Sequence, residues 1–186
     1  MVPLLSLWLP VLVSAVLIFI ASSIIHMVLP YHRSDYRQLP AEAEVMEALR
    51  KFGIPPGDYV VPHAASPEAM KSPAFKEKML RGPVIGMTVM KNGEWNMGAQ
   101  LTQWFIYCIA VSFVAAYVTS RAVGPGTEYL VVFRFAGCTA FVAYGLALWQ
   151  NTIWYKRAWT TTLKSNIDAL IYGLLTGGAF GWLWPQ

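Results

Sequence analysis

The chain has 186 residues, of which 56% are hydrophobic and only 13% are charged. A soluble domain carries about 25% charged residues, so this composition excludes an ordinary soluble enzyme and favours a polytopic membrane protein. The net charge of +4 does not indicate a nucleic-acid partner, because most of the basic residues fall in the predicted loops between membrane spans. Cys108 and Cys138 lie in apolar stretches, and we interpret them as packing residues rather than as a disulfide or a metal pair.

The first predicted element is a membrane-spanning helix over residues 5–29. No Lys or Arg precedes this apolar run and no small-x-small cleavage site follows it, so we interpret it as a span rather than a signal peptide. Pro10 lies near the helix start, where a kink costs little, and Pro30 ends the helix. Residues 1–30 are therefore assigned to the first transmembrane helix.

A polar segment, residues 31–98, follows this span. Its pattern predicts a helix at 41–52, an extended stretch at 57–62, a helix at 67–80 interrupted by Pro73, and a hairpin at 84–97 turning at Asn92 and Gly93. About 70 residues of this kind make a small extramembrane cap rather than an independent enzyme domain.

The remaining residues, 99–186, contain three further apolar stretches. They predict spans at 99–123, 128–150 and 165–184, and the last, with about 20 residues at 1.5 Å each, matches the ~30 Å hydrocarbon core of a bilayer. Residues 151–164 are rich in Trp, Tyr and basic residues, which is typical of an interfacial loop. The predicted fold class is an all-α integral membrane protein with four transmembrane helices and a small cytoplasmic insertion between the first and second.

Basic residues predict the orientation of these spans. Nine Lys and Arg residues lie in 31–98 and three lie in 151–164, whereas Arg121 stands alone on the opposite side. The positive-inside rule then places both loops in the cytoplasm and both termini outside.

Small residues recur at every fourth position of the last predicted span: Ala169, Gly173, Gly177 and Gly181. Because a helical Gly costs roughly 1 kcal/mol against Ala in water, three on one face indicate that another backbone comes very close. That backbone belongs either to another protein chain or to the third span of the same chain. The third span offers its own small residues for such a contact: Ala136, Gly137, Ala140, Ala143 and Ala147.

Arg134 is the most costly residue to place inside the third span. A central Arg costs roughly 2.5–3.5 kcal/mol on insertion, so we expect its side chain to point into the bundle or to reach outward. Glu128 and the C-terminal carboxylate are the expected partners. Both a structural anchor and an ion or substrate contact fit this position.

Asp168 has two interpretations. In the first, Ser165 and Asp168 form a capping box at the start of the fourth span, where an acidic side chain is favourable. In the second, Asp168 pairs with His26, which the predicted topology places at a similar depth near the cytoplasmic face. Such a pair is able to move protons.

The sequence contains no recognised catalytic or cofactor motif. It has no phosphate-binding loop, no nucleotide-binding glycine pattern and no nucleophile setting, so we predict no catalytic residue and no cofactor. His26, His32 and His63, with Asp35 or Asp58, match no compact ligand spacing, and we predict no metal.

Several pieces of the sequence resemble a group of small bacterial membrane proteins of unknown function: 57–62, 81–87, 96–98 with 104–107, and 153–159. A looser resemblance extends to other four-helix proteins of unknown function. The resemblance implies a bacterial inner membrane, and it brings no activity, cofactor or catalytic residue.

The sequence thus favours a protein embedded in the lipid bilayer that serves as a non-enzymatic accessory, scaffold or assembly component. Such a component would pack through its glycine face against its own copies or another membrane protein. The second hypothesis is a small transporter or channel component that uses Arg134, Asp168 and His26. The third is a membrane-embedded enzyme acting on a lipid or quinone.

Overall fold

A computed structural model describes residues 1–94 and 96–186. The chain forms two compact units, one made of Met1–Arg37 with Asn96–Gln186 and the other of Gln38–Trp95. The helices are α1 (Trp8–Ser23), α2 (Glu42–Arg50), α3 (Pro67–Lys71), α4 (Pro73–Arg81), α5 (Met97–Ala122), α6 (Tyr129–Tyr144), α7 (Trp149–Tyr155) and α8 (Trp159–Trp182). The strands are β1 (Gly57–Val61) and β2 (Ile85–Val89).

The four longest helices of the first unit contact each other in the cyclic order α1, α5, α6, α8, and the contact between α6 and α8 is the most extensive. Three helical stretches are long and apolar enough to cross a membrane, namely Leu4–Val28, Met97–Ala122 and Tyr129–Tyr155. The chain therefore has the all-α architecture expected of an integral membrane protein. The remaining helix, α8, has 24 residues, but polar side chains fill its first half.

Small and hydroxyl-bearing side chains fill the interior of this unit. Those that are fully buried include Ser14, Ala15, Ser112, Ala115, Ala136, Ala140 and Thr176. Large apolar side chains face outward instead, as Leu9, Leu12 and Ile20 do on α1. Small residues inside allow helix backbones to approach closely, and this distribution is typical of helices packed in a bilayer.

The prediction of a loop at 151–164 is wrong, because helices occupy most of this segment. After α6, a 3₁₀ turn at Leu146–Leu148 leads into α7, and α8 begins at Trp159. Thr161 and Thr162 are buried within α8, and Thr162 Oγ1 lies 2.5 Å from Thr152 Oγ1 on α7. Polarity suggested a loop here, but both threonines are buried, and the hydroxyl group of Thr162 has a partner inside the protein.

The end of α1 departs from regular helical geometry. Residues Ile24–Val28 form a π-helical turn, closed by a hydrogen bond from Leu29 N to Ile24 O at 3.0 Å. Pro30 then opens a 3₁₀ turn, Pro30–Asp35, which we call the connecting turn. Single π-turns are frequent at functional sites, so the side chains on this turn are candidates for a site.

In the second unit, two Ser-Pro pairs start the short helices α3 and α4. Ser66 Oγ accepts a hydrogen bond from Ala69 N at 3.1 Å, and Ser72 Oγ accepts one from Phe75 N at 3.2 Å. Proline is favoured at the first helical position because its missing N–H would have had no partner there. The helix break predicted at Pro73 is therefore observed.

The sheet of the second unit differs from the predicted hairpin. Strand β2 pairs antiparallel with β1, with Gly57 opposite Val89 and Val61 opposite Ile85. Glu94 and Asn96 of the predicted return strand are not in a strand, and Trp95 lies outside the described residues. None of residues 38–94 is buried, so the described part of this unit has no hydrophobic core.

Candidate functional site

The connecting turn and α8 bring two carboxylates to opposite sides of one imidazole ring. His32 Nδ1 lies 2.6 Å from Asp35 Oδ2, and His32 Nε2 lies 2.8 Å from Asp168 Oδ2. Ionised carboxylates only accept hydrogen bonds, so a ring protonated on both nitrogens satisfies both partners. His32 therefore ties the connecting turn to the third turn of α8.

Lys164 fastens the same turn from the other side. Its Nζ donates to Asp35 Oδ1 at 2.9 Å, to Tyr31 O at 2.8 Å and to Ser34 Oγ at 2.8 Å. Burial raises the pKa of Asp35, but the hydrogen bonds from His32 and Lys164 outweigh burial and hold that pKa below its ordinary value. Asp35 is therefore an ionised, nearly buried group.

His26 connects this buried group to the exterior. It lies on the π-turn, with its Nε2 4.0 Å from Asp168 Oδ2 and its ring centroid 4.3 Å from that of His32. The His26 side chain is 48% exposed, whereas that of Asp168 is only 5% exposed. His26, His32 and Asp168 each offer one ligand atom able to hold a metal ion, and these atoms lie within 4.8 Å of one another.

Beyond Asp168, buried hydroxyl groups occur at several levels of the helical unit. Tyr172 lies one helical turn further along α8, and Ser112 and Thr119 lie on the buried face of α5. The hydroxyl groups of these three residues are buried, and the described residues provide them with no hydrogen-bond partner. Buried hydroxyl groups that lack a hydrogen-bond partner are costly in a protein interior.

The structure corrects the capping box predicted for Asp168. Because α8 begins at Trp159, Asp168 lies in its third turn rather than in its first. Ser165 does not cap the helix, since its Oγ donates to Thr161 O at 3.0 Å. The second interpretation, which places His26 beside Asp168, describes the observed geometry.

Three participants in the site, His32, Asp35 and Lys164, were not predicted as site residues from the sequence. His32 and Asp35 were considered only within an unspecific set of metal ligands that included His63, which is exposed in the second unit. Their signal is a His-x-x-Asp spacing directly after Pro30, which places both side chains on one side of a tight turn.

Arg134 is not part of this site. Its side chain is exposed on α6, so the alternative in which it points into the bundle is wrong. The described residues form no ion pair with it, including Glu128, the partner expected on the same helix.

The glycine face of α8 lies against α6 of the same chain. A Cβ at Gly173 would lie 2.9 Å from Gly137 O, and a Cβ at Gly177 would lie 2.7 Å from Phe133 O. At Gly181 a Cβ would lie 2.7 Å from the ring of Tyr129. Ala169 at the start of this face is fully buried. Of the two partners considered for these residues, the structure thus shows the one within the chain.

Comparison with known proteins finds no matching family model, no matching curated protein and no matching solved structure.

Proposed function

We propose that this chain is a four-span protein of the bacterial inner membrane that serves as a small transport or channel component for a cationic solute. One observation carries the proposal: the carboxylate of Asp168 is buried within the helical unit, yet a half-exposed histidine lies beside it. Ionisable residues within membrane helices are expensive, and they commonly mark ion or substrate pathways.

Helix α8 supplies the fourth span in this proposal. Its 24 residues extend about 36 Å at 1.5 Å per residue, which exceeds the ~30 Å hydrocarbon core. Its polar side chains are turned toward protein partners, since Asn166 Oδ1 accepts from Trp149 Nε1 at 3.2 Å and Lys164 holds the connecting turn. A helix whose polar groups are satisfied in this way is compatible with a lipid environment.

The sign of the solute follows from the groups at the site. Asp35 and Asp168 are both nearly buried, and Lys164 already contacts the first of them. Among the described residues, the ion-pair partners of Asp168 are the imidazole groups of His26 and His32. A cation that reaches Asp168 therefore meets a carboxylate able to bind it.

A single chain provides an entrance rather than a complete passage. The opposite end of the unit is closed by packed apolar residues: Val2, Leu7, Ala116, Val132, Ala136, Phe180 and Trp184. We therefore propose a component that acts in an assembly, with a second copy or another membrane protein completing the route. The accessory role inferred from the glycine face lacks a free surface for association there, because α6 already covers that face.

Cation flux across reconstituted vesicles tests the proposal. The full chain in liposomes is assayed for uptake of H⁺, Na⁺ and Zn²⁺, alongside Asp168→Asn and the control Glu128→Gln, an exposed carboxylate next to α6. We expect flux of at least one cation, a fall of tenfold or more with Asp168→Asn, and no change with Glu128→Gln. Equal flux for wild type and Asp168→Asn, or none above empty liposomes, would reject the function.

The orientation is tested separately. With both termini outside and the site on the cytoplasmic side, alkaline phosphatase fused after Gln186 should be active in bacterial cells. A fusion that is expressed at a normal level but is inactive would show that the orientation is the reverse of the one proposed.

A further inference from the structure

We propose that His26, His32 and Asp168 bind a divalent first-row transition metal ion, for which Zn²⁺ is the representative. This inference deepens the proposed function by naming the class of cation. The role of the bound ion as a transported solute rests on the proposed function, whereas binding of the ion is measured independently of transport.

The donor set suits such an ion. Two imidazole nitrogens and one carboxylate are a common set of three protein ligands for Zn²⁺ and related ions, and they leave further positions open. Hard cations such as Mg²⁺ prefer oxygen ligands alone, so the two imidazoles select against them.

The spacing of the donors also fits. Ligands of a tetrahedral Zn²⁺ at about 2.1 Å lie about 3.4 Å from one another. The distance from Asp168 Oδ2 to His26 Nε2 is 4.0 Å and that to His32 Nε2 is 2.8 Å, so the two distances lie on either side of this spacing. All three donor atoms lie within 4.8 Å of one another, so side-chain movements of up to about 1.4 Å suffice to close the site around an ion.

A carboxylate partner for the far ring nitrogen of His32 is already in place. Its Nδ1 lies 2.6 Å from Asp35 Oδ2, and Asp35 is in turn held by Lys164 at 2.9 Å. A carboxylate on the far nitrogen of a ligating histidine fixes the ring orientation and raises its basicity. The ion takes the position of the hydrogen between His32 Nε2 and Asp168, while the bond to Asp35 is kept.

His26 is the adjustable ligand and the point of entry. Its side chain is 48% exposed, and no hydrogen bond joins its ring to the described residues. It therefore swings toward an arriving ion without breaking an existing bond. For the same reason His26→Gln is the ligand variant least able to disturb folding.

Calorimetric titration of the purified full chain in detergent with Zn²⁺, after treatment with a chelator, tests this inference. We expect one Zn²⁺ per chain and no binding of Mg²⁺. Replacing the carboxylate that holds His32, Asp35→Asn, should weaken Zn²⁺ binding by about 10–100-fold. Replacing a ligand, His26→Gln or Asp168→Asn, should weaken it at least as much, and the distant control His63→Gln should bind as wild type does. Co²⁺ in place of Zn²⁺ reports the ligands through its visible absorption.

The inference is overturned if the wild-type chain binds no Zn²⁺, or if His26→Gln elutes as a folded protein and binds Zn²⁺ as tightly as wild type. Zn²⁺ binding without cation flux in vesicles leaves the metal site standing and rejects transport. Flux of another cation without Zn²⁺ binding rejects the metal site and leaves transport standing.

Discussion

The two ends of the four-helix unit are held together by different interactions. At the site end, His32, Asp35, Lys164 and Asp168 are joined by charge-assisted hydrogen bonds of 2.6–2.9 Å. At the opposite end, apolar side chains pack around Phe180, and a hydrogen bond from Trp184 Nε1 to Gly124 O at 2.9 Å closes the turn between α5 and α6.

This difference separates an end whose residues are explained by fold stability alone from an end whose residues are not. Apolar packing stabilises a fold in proportion to the contacts it makes, and many side-chain combinations provide it. Buried ion pairs add little net stability, because desolvation offsets their attraction, although removing one partner is costly. The site end therefore holds a specific set of groups that stability does not require, which agrees with a role in binding.

The largest expected effect comes from breaking the apolar end. Phe180→Ala removes a fully buried ring and leaves a cavity, so we expect the free energy of unfolding to fall by about 3–5 kcal/mol. Denaturant unfolding in detergent measures it. The control Leu174→Ala changes a half-exposed position on the same helix. If both variants lose the same stability, the apolar end is not the packed core described above.

The next effect comes from unpairing the site end. Lys164→Met leaves His32 as the remaining partner of Asp35. We expect the free energy of unfolding to fall by about 3 kcal/mol. This is the lower end of the range for breaking a buried ion pair, because the Lys164 side chain is 20% exposed. Hydrogen exchange should rise in the connecting turn and stay unchanged at Gly126, whose N–H bonds Pro185 O at the opposite end.

Lys156→Met serves as the control for this variant, because Lys156 Nζ donates only to the nearby Ile153 O among the described residues. Faster exchange at both ends after Lys164→Met would mean that the two ends do not open independently.

A smaller effect tests the contact between α6 and α8 that joins the two ends. Gly177→Ala places a Cβ 2.7 Å from Phe133 O, so we expect the free energy of unfolding to fall by about 1–3 kcal/mol. The neighbour Gly178→Ala meets only Tyr129 Oη at 3.7 Å, and its higher helix propensity should stabilise by up to about 1 kcal/mol. Equal thermal stability of the two variants would contradict the close contact.

Long apolar helices were the most predictable part of the fold. The span predicted at 99–123 is observed at Met97–Ala122, because a sustained apolar run followed by Gly124 and Gly126 leaves few alternatives. The meeting of His26 with Asp168 also followed from the sequence, since antiparallel spans and a fixed helical rise place both at one depth.

The rest of the site depends on structure that periodicity does not encode. The connecting turn follows an irregular path after Pro30, and its position is set by contacts with residues more than 100 positions away, such as Lys164. The start of α8 was misplaced because hydropathy treats Thr161 and Thr162 as loop residues, although both are buried. In the second unit, the Asn-Gly turn signal was local, whereas β2 pairs with the distant β1.

The π-turn at the end of α1 bears on how such a site arises in evolution. A π-turn is equivalent to one residue inserted into an α-helix, and deleting that residue would rotate the following side chains by about 100°. If the deleted residue preceded His26 in this turn, the His26 side chain would rotate away from Asp168, while the span before it kept its apolar character. A plain membrane helix and one that presents this histidine are therefore separated by a single codon.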